Sequence, residues 1–198
     1  MPVYQSTKLI TDLQQQTETI LEKAISEWQM TPSVKLLQPP GANQWSAAQC
    51  LEHLNSYGRY YLPEIEKAIE TAKQNKWLAS EQFTAGWIGN YFTNLMMPER
   101  DGKKMKQMSA PKNHTPDADL DSYKVVSEFI DQQEKILKLL EAAREIDLNK
   151  AKVPVSIAKF IKLKLGDVFM FLNAHNLRHI AQAERAMLTL KNANSTLV

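Results

Sequence analysis

The chain has 198 residues, of which 43% are hydrophobic and 23% are charged, and its formal net charge at pH 7 is +2. This composition is typical of a globular protein rather than a disordered one, and the small net charge gives no argument for nucleic-acid binding. The length favours a single domain over residues 1–198. A single cysteine, Cys50, excludes an intramolecular disulfide and any zinc site that needs two cysteines.

Membrane insertion and secretion are not expected from the sequence. No apolar stretch approaches the roughly 18 residues that a bilayer-spanning helix needs. The polar N-terminal residues lack the basic start and apolar core of a secretory signal. We therefore expect a cytoplasmic protein with no membrane partner.

The first two predicted helices are separated by a proline-rich connection. Hydrophobic residues at three- and four-residue steps predict a helix over residues 6–30. This helix ends before Pro32, because the residue preceding a proline avoids the helical region. The second helix begins at Ser46, which forms a capping box with Gln49 three residues later. Pro63 lies inside this helix and should kink it, since it removes one backbone donor.

The middle of the chain is predicted to contain a short helix and a long loop. The segment 83–97 carries aromatic residues at four-residue steps, which place their rings on one face of a helix. The loop 99–118 that follows has the length of a lid or binding loop, and its histidine, His114, is expected to be exposed. The aromatic residues of the short helix are Phe83, Trp87 and Tyr91.

Two more long helices complete the predicted fold. One covers residues 119–145 with a near-heptad repeat, and the other begins near Gly166 and ends near Asn192. The lysine-rich segment 150–164 between them is expected to be a partly buried strand or turn with solvated lysine heads. No convincing strand pattern accompanies the helices, so the sequence predicts an all-α four-helix bundle with a short extra helix and long loops.

A pair of histidines on the fourth helix is the clearest chemical signal. His175 and His179 lie four residues apart, so both imidazoles project from one helical face and can bind one metal ion. They share this face with Val168 and Leu172, which directs them towards the bundle interior. Buried imidazoles need partners. The two interpretations are a metal site and a hydrogen-bonded core pair.

A third histidine can complete the site from the second helix. His53 shares a helical face with Cys50 and Tyr57, and in a bundle this face can point at the fourth helix. Three histidines on one ion leave coordination positions open, as in catalytic rather than structural sites. The alternative for His53 is an interhelical hydrogen bond.

The neighbours of these histidines have less specific signals. Cys50 is either a fourth ligand or reactive thiol, or the small buried hydrophobe that a lone cysteine more often is. Gln182, one turn beyond His179, either orients that histidine or has a solvent-facing or interhelical role. Tyr57 joins Cys50 and Gln182 as a candidate for the surroundings of the site. No catalytic residue is assigned from the sequence.

Two segments of the chain resemble the DinB/YfiT-like proteins. They are residues 45–54, WSAAQCLEHL, and residues 175–182, HNLRHIAQ. The family pattern joins a Trp-Ser helix start followed by His-Leu to a late His-x-x-x-His with a glutamine three residues on. The resemblance implies an up-down-down-up four-helix bundle that holds a divalent metal through His53, His175 and His179, and it implies a homodimer.

The resemblance also implies a class of chemistry. Some family members look like thiol-dependent S-transferases, and one branch isomerises maleylpyruvate with a thiol cofactor. For this chain it implies a metal-dependent thiol S-transferase or a hydrolase that acts on a small molecule, with a low-molecular-weight thiol as a further cofactor. The alternative is a non-catalytic metal- or ligand-binding bundle, such as a sensor or stress-response module. An all-imidazole site suits zinc or nickel first, then iron or copper.

Overall fold

A computed structural model describes residues 1–98 and 109–195 of the chain, with side chains described through Thr189. The long helices are α1 (Ser6–Lys23), α3 (Ala47–Gln74), α5 (Ser122–Ala143) and α6 (Leu165–Ser195). The shorter helices are α2 (Ser33–Leu37) and α4 (Trp87–Met96), and short turns occur at Ala24–Trp28 (π-helical) and Lys112–His114 (3-10). The strands are β1 (Val3–Gln5), β2 (Gln82–Thr84), β3 (Lys152–Val155) and β4 (Ala158–Lys164).

The four long helices form an up-down-down-up bundle, in which α5 and α6 each pack against both α1 and α3. Residues in contact run in opposite order along α1 and α5 and along α3 and α6, but in the same order along α3 and α5. The contacts that establish these directions are Gln14–Glu141 and Trp28–Phe129, then Arg59–Glu128 and Glu66–Lys135, and finally His53–His175 and Tyr61–Phe171. The prediction of an all-α four-helix bundle is confirmed.

The start of α3 agrees with its capping signal. Ser46 Oγ accepts a hydrogen bond from the Gln49 backbone N–H at 3.2 Å, and Gln49 Oε1 accepts one from the Ser46 N–H at 3.0 Å. The capping box satisfies two donors that the first helical turn would otherwise leave unpaired. It thereby defines the beginning of the helix that carries His53, and the helix continues past Pro63 to Gln74.

The hydrophobic core consists of two clusters that meet along α3 and α6. One contains Trp28, Phe129 and the α3 residues up to Leu54. The other begins on α3 at Tyr57 and contains most of the apolar residues near the two-stranded sheets. On α3 the boundary between them therefore lies between Leu54 and Tyr57, directly after His53.

The aromatic segment differs from its predicted form. Phe83 lies in β2, pairs with Tyr4 of β1, and is fully buried. The helix begins only at Trp87, which is 70% exposed, as is Tyr91 at 56%. The prediction that these three rings share one helical face is wrong, because strand pairing takes Phe83 into the core. A spacing of four residues does not reveal that pairing.

The remaining segments agree in part with the sequence analysis. The lysine-rich segment forms the antiparallel hairpin β3–β4, in which Val153 is fully buried, so the prediction of a partly buried strand or turn is confirmed. Of the predicted loop 99–118, residues 99–108 lie outside the described residues, and the rest includes the turn Lys112–His114. Among the described helices, none has an apolar stretch long enough to cross a membrane.

Candidate metal centre

Three histidines from the antiparallel helices α3 and α6 converge inside the bundle. The candidate ligand atoms of His53, His175 and His179 all lie within 4.8 Å of one another. The ring centroids are 4.5 to 4.9 Å apart, and the three residues are only 3%, 2% and 8% exposed. Among the described residues, no carboxylate or thiol joins this group.

His53 is oriented by a backbone carbonyl. Its Nδ1 lies 2.6 Å from the carbonyl oxygen of His114. Because a carbonyl oxygen only accepts hydrogen bonds, Nδ1 must carry the proton. In the neutral ring Nε2 then bears the lone pair, and this atom faces His175 Nε2.

The two histidines of α6 have different partners. His179 Nδ1 lies 3.0 Å from Gln182 Oε1, so the amide oxygen can accept the Nδ1 proton and leave the lone pair on Nε2. Gln182 therefore contacts a candidate ligand directly. His175 Nδ1 is fully enclosed and has no hydrogen-bond partner among the described residues, while its Nε2 lies 3.1 Å from His53 Nε2.

This arrangement fits a bound divalent ion. His53 Nε2 presents its lone pair to His175 Nε2 at 3.1 Å, so a cation or a proton must lie between the two nitrogens. Imidazole nitrogens bound at about 2.0–2.1 Å to one ion lie about 3.0–3.4 Å apart, which agrees with the observed separation. A proton shared in a His53–His175 core pair would also explain this contact, but it leaves the convergence of His179 without a reason.

Burial keeps the three imidazoles in the form that binds metals. Loss of solvation is the largest cause that lowers the pKa of all three, and with its neighbours included the pKa of His179 falls to about 3. The neighbouring histidines and the Arg178 guanidinium lower the pKa of His175 and His179 further. For His53, the hydrogen bond to His114 opposes the effect of burial on the pKa. All three rings are therefore neutral at pH 7.

Aromatic rings surround the three histidines. Trp45 lies with its ring centroid 5.0 Å from that of His53 and 6.0 Å from that of His179. Tyr57 contacts both His53 and His175, at 5.1 and 4.5 Å between centroids. These rings exclude water and lower the local dielectric constant, which strengthens electrostatic interactions at the site.

Cys50 is fully buried among apolar residues, outside the converging group. Burial raises the pKa of its thiol to about 12, so the thiol stays protonated at neutral pH. These properties are those of a small buried hydrophobe rather than of a ligand or nucleophile.

His114 is the residue that sequence reasoning placed wrongly. Instead of being exposed it is only 3% exposed, and its ring stacks on Tyr57 with 3.9 Å between centroids. Burial and the nearby His53 lower its pKa to about 4. The only available signal was chemical: a ligand histidine needs an acceptor for its second nitrogen, but no sequence pattern identifies a backbone carbonyl in that role.

The fold and site together define an all-α bundle with a buried three-histidine group that could hold a metal ion. A family model described as the DinB superfamily matches residues 14–183, and the chain belongs to that superfamily. The match includes His53 and the histidine pair of α6. No curated protein and no solved structure matches the chain significantly.

Proposed function

We propose that this protein is a metal-dependent thiol S-transferase or hydrolase in which a divalent ion bound by His53, His175 and His179 activates a thiol or water. The observation that carries the proposal is the convergence of three buried, neutral imidazoles within 4.8 Å. Three protein ligands leave room for a small molecule on the ion, whereas a structural site is closed by four.

Each neighbouring residue has a defined task in this proposal. The His114 carbonyl and the Gln182 amide keep the protons of His53 and His179 on Nδ1, so that both Nε2 atoms are available. Trp45 and Tyr57 keep bulk water away from the histidines. When bound, a divalent ion brings the pKa of a coordinated water or thiol towards neutrality.

The ion is zinc or nickel in this proposal, since both suit imidazole nitrogen, with iron and copper as the next candidates. A low-molecular-weight thiol is the proposed cofactor of the transferase reaction, in a reducing cytoplasmic setting. One observation favours the second candidate, a non-catalytic metal- or ligand-binding bundle: each of the three rings is at most 8% exposed.

A homodimer is part of the proposal. Trp87 and Tyr91 on α4 are 70% and 56% exposed, and their rings stack at 6.5 Å between centroids. Pairing of two copies would remove such aromatic surface from water. Light scattering at micromolar concentration is expected to give the mass of two chains, and the mass of one chain would contradict this part.

The experiment starts with the metal content of the full chain purified without a polyhistidine tag. The protein is then loaded with Zn²⁺ or Ni²⁺ and assayed with glutathione and chlorodinitrobenzene, and separately with para-nitrophenyl acetate, with and without EDTA. We expect about one ion per chain and turnover in one of the assays that EDTA abolishes. The His175→Ala variant should lack both, whereas Leu188→Ala, on an exposed position of the same helix, should retain both.

Two results would contradict the proposal in different ways. Stoichiometric metal without turnover above the buffer rate in any assay would favour the binding module. Absence of metal, with identical responses of the parent and His175→Ala to EDTA, would favour a hydrogen-bonded core pair.

A further inference from the structure

His53 and His114 are linked by a closed ring of hydrogen bonds. His53 Nδ1 lies 2.6 Å from the His114 carbonyl oxygen. In return, His114 Nδ1 lies 2.9 Å from Ser56 Oγ, which lies 2.7 Å from the His53 carbonyl oxygen. Each histidine side chain thus reaches the backbone carbonyl of the other, either directly or through Ser56.

The direction of every hydrogen bond in the ring follows from the donors available. Ser56 has one hydroxyl proton, and the His53 carbonyl can only accept, so that proton is donated to the carbonyl. Ser56 Oγ must therefore accept from His114 Nδ1–H. The remaining nitrogen of the neutral His114 ring, Nε2, accepts from the hydroxyl of Ser156, 3.0 Å away. One tautomer of each histidine satisfies all of these contacts.

Three residues from two separate segments, α3 and the β3–β4 turn, hold the His114 side chain in place. Its ring stacks on Tyr57 of α3, and its two nitrogens contact Ser56 of the same helix and Ser156 in the β3–β4 turn. Ser156 is itself held, because its backbone N–H donates to the Tyr61 hydroxyl at 3.2 Å. Since the imidazole and the carbonyl belong to one residue, the contacts that fix the His114 ring also fix the oxygen that orients His53.

We infer that His114 is a positioning residue for the metal ligand His53 and acts through the hydrogen-bond ring that Ser56 closes. The inference rests on the proposed metal site and adds a function for a loop residue that is not a ligand. The ring holds the Nδ1–H tautomer and the orientation of His53. Groups that orient a ligand in this way typically change metal affinity by about 10–100-fold when they are removed.

The test uses substitutions that open the ring at different points in the full chain. Ser56→Ala removes the connecting hydroxyl but keeps both histidines. His114→Phe keeps an aromatic ring on Tyr57 and loses both polar contacts. His114→Asn keeps an amide donor near the position of Nδ1. Ser127→Ala, an exposed serine on α5, is the matched control.

Zn²⁺ affinity is measured by competition with a chromophoric chelator, and the visible absorption spectrum is recorded with Co²⁺ in place of Zn²⁺. We expect Ser56→Ala and His114→Phe to weaken Zn²⁺ binding about 10–100-fold and to change the Co²⁺ bands. His114→Asn should recover much of the affinity, and Ser127→Ala should match the parent. The melting temperature in EDTA monitors folding, while the Co²⁺ spectrum and the rescue by asparagine report positioning specifically.

The outcomes separate this inference from the proposed function. Parent-like Zn²⁺ affinity and Co²⁺ spectra in Ser56→Ala and His114→Phe would overturn the inference, while loss of binding in His175→Ala would keep the metal site. Affinity in His114→Asn no better than in His114→Phe would also overturn it. If His114→Phe does not fold, Ser56→Ala decides the matter. A parent that binds no Zn²⁺ would overturn both proposals.

Discussion

Helices α3 and α6 bring histidines to the same point but support them differently. On α6, His179 is held by Gln182 three residues later, and the Nδ1 of His175 has no hydrogen-bond partner among the described residues. On α3, His53 is held by the carbonyl of His114, which is 61 residues away in the sequence. The α6 pair is therefore a local arrangement set by helical spacing, whereas the orientation of His53 depends on contacts between distant segments.

The largest expected effect tests whether both helices take part in metal binding. Because each histidine supplies one of three ligands, His53→Ala and His179→Ala should each weaken Zn²⁺ binding at least about 100-fold, or about 2.7 kcal/mol. Competition titration measures the loss, and Leu188→Ala is the control. Zn²⁺ at a hundredfold excess over its dissociation constant should stabilise the parent by about 2.7 kcal/mol and both variants much less. Parent-like binding in His53→Ala would remove α3 from the site.

Acid should destabilise the protein in EDTA. As the pH falls, His53 on α3 should be protonated before His179 on α6. The pKa of His179 is lowered to about 3, against about 6.5 in an unfolded chain. Between these values the unfolded state binds more protons, so this contribution to stability is complete above pH about 6.5 and falls as the pH decreases, by about 1.4 kcal/mol per pH unit for one such histidine.

A hydrogen bond opposes the effect of burial on the pKa of both His53 and His179, but the pKa of His179 is lowered further by His53 and Arg178, to about 3. His53 should therefore titrate at a higher pH than His179. Histidine NMR signals followed from pH 7 downwards, together with urea unfolding at each pH, measure both effects. Stability that rises on acidification, or earlier titration of His179, would contradict the prediction.

The two helices should also differ in how they tolerate the loss of a histidine in EDTA. His53→Leu leaves the buried His114 carbonyl without its donor, which should lower the free energy of unfolding by about 1–3 kcal/mol. His175→Leu removes the Nε2 contact with His53 but also a buried Nδ1 that has no partner, so it should lower the free energy of unfolding less than His53→Leu does. Urea unfolding of both variants gives the comparison, and a greater loss in His175→Leu would reverse it.

The smallest expected effect concerns support within α6. Gln182→Leu removes the acceptor for His179 Nδ1–H and should weaken Zn²⁺ binding about tenfold, at the lower end of the range for such groups. Gln182→Glu keeps an acceptor and serves as the matched variant, with affinity at least equal to that of the parent. Equal affinities in the leucine and glutamate variants would show that His179 needs no support from this residue.

The features that were predictable from the sequence depend on neighbouring residues. The capping box at Ser46 and the pair His175 and His179 are defined within one or two helical turns, and the structure has them where they were expected. His114 was assigned to the exposed surface because its burial depends on Tyr57 and Ser156, which lie far from it in the sequence.

Phe83 illustrates the same difficulty in the fold. Its partner in the sheet is Tyr4, near the start of the chain. The four-residue spacing from Phe83 to Trp87 suggested a continuous helix. Local spacing cannot reveal strand pairing with a residue as distant as Tyr4. His114 and Phe83, the two residues that sequence reasoning placed wrongly, both have environments that are built from distant segments.

The parallel arrangement of α3 and α5 has a consequence for how the site can vary. α3 has 28 residues and spans about 42 Å at a rise of about 1.5 Å per residue. A chain that leaves the far end of α3 must travel back over this distance before α5 can begin beside the start of α3. The described end of this connection, residues 109–121, delivers His114 to the first turns of α3. Insertions or deletions in the connection between α3 and α5 can therefore change the candidate site while His53, His175 and His179 stay unchanged.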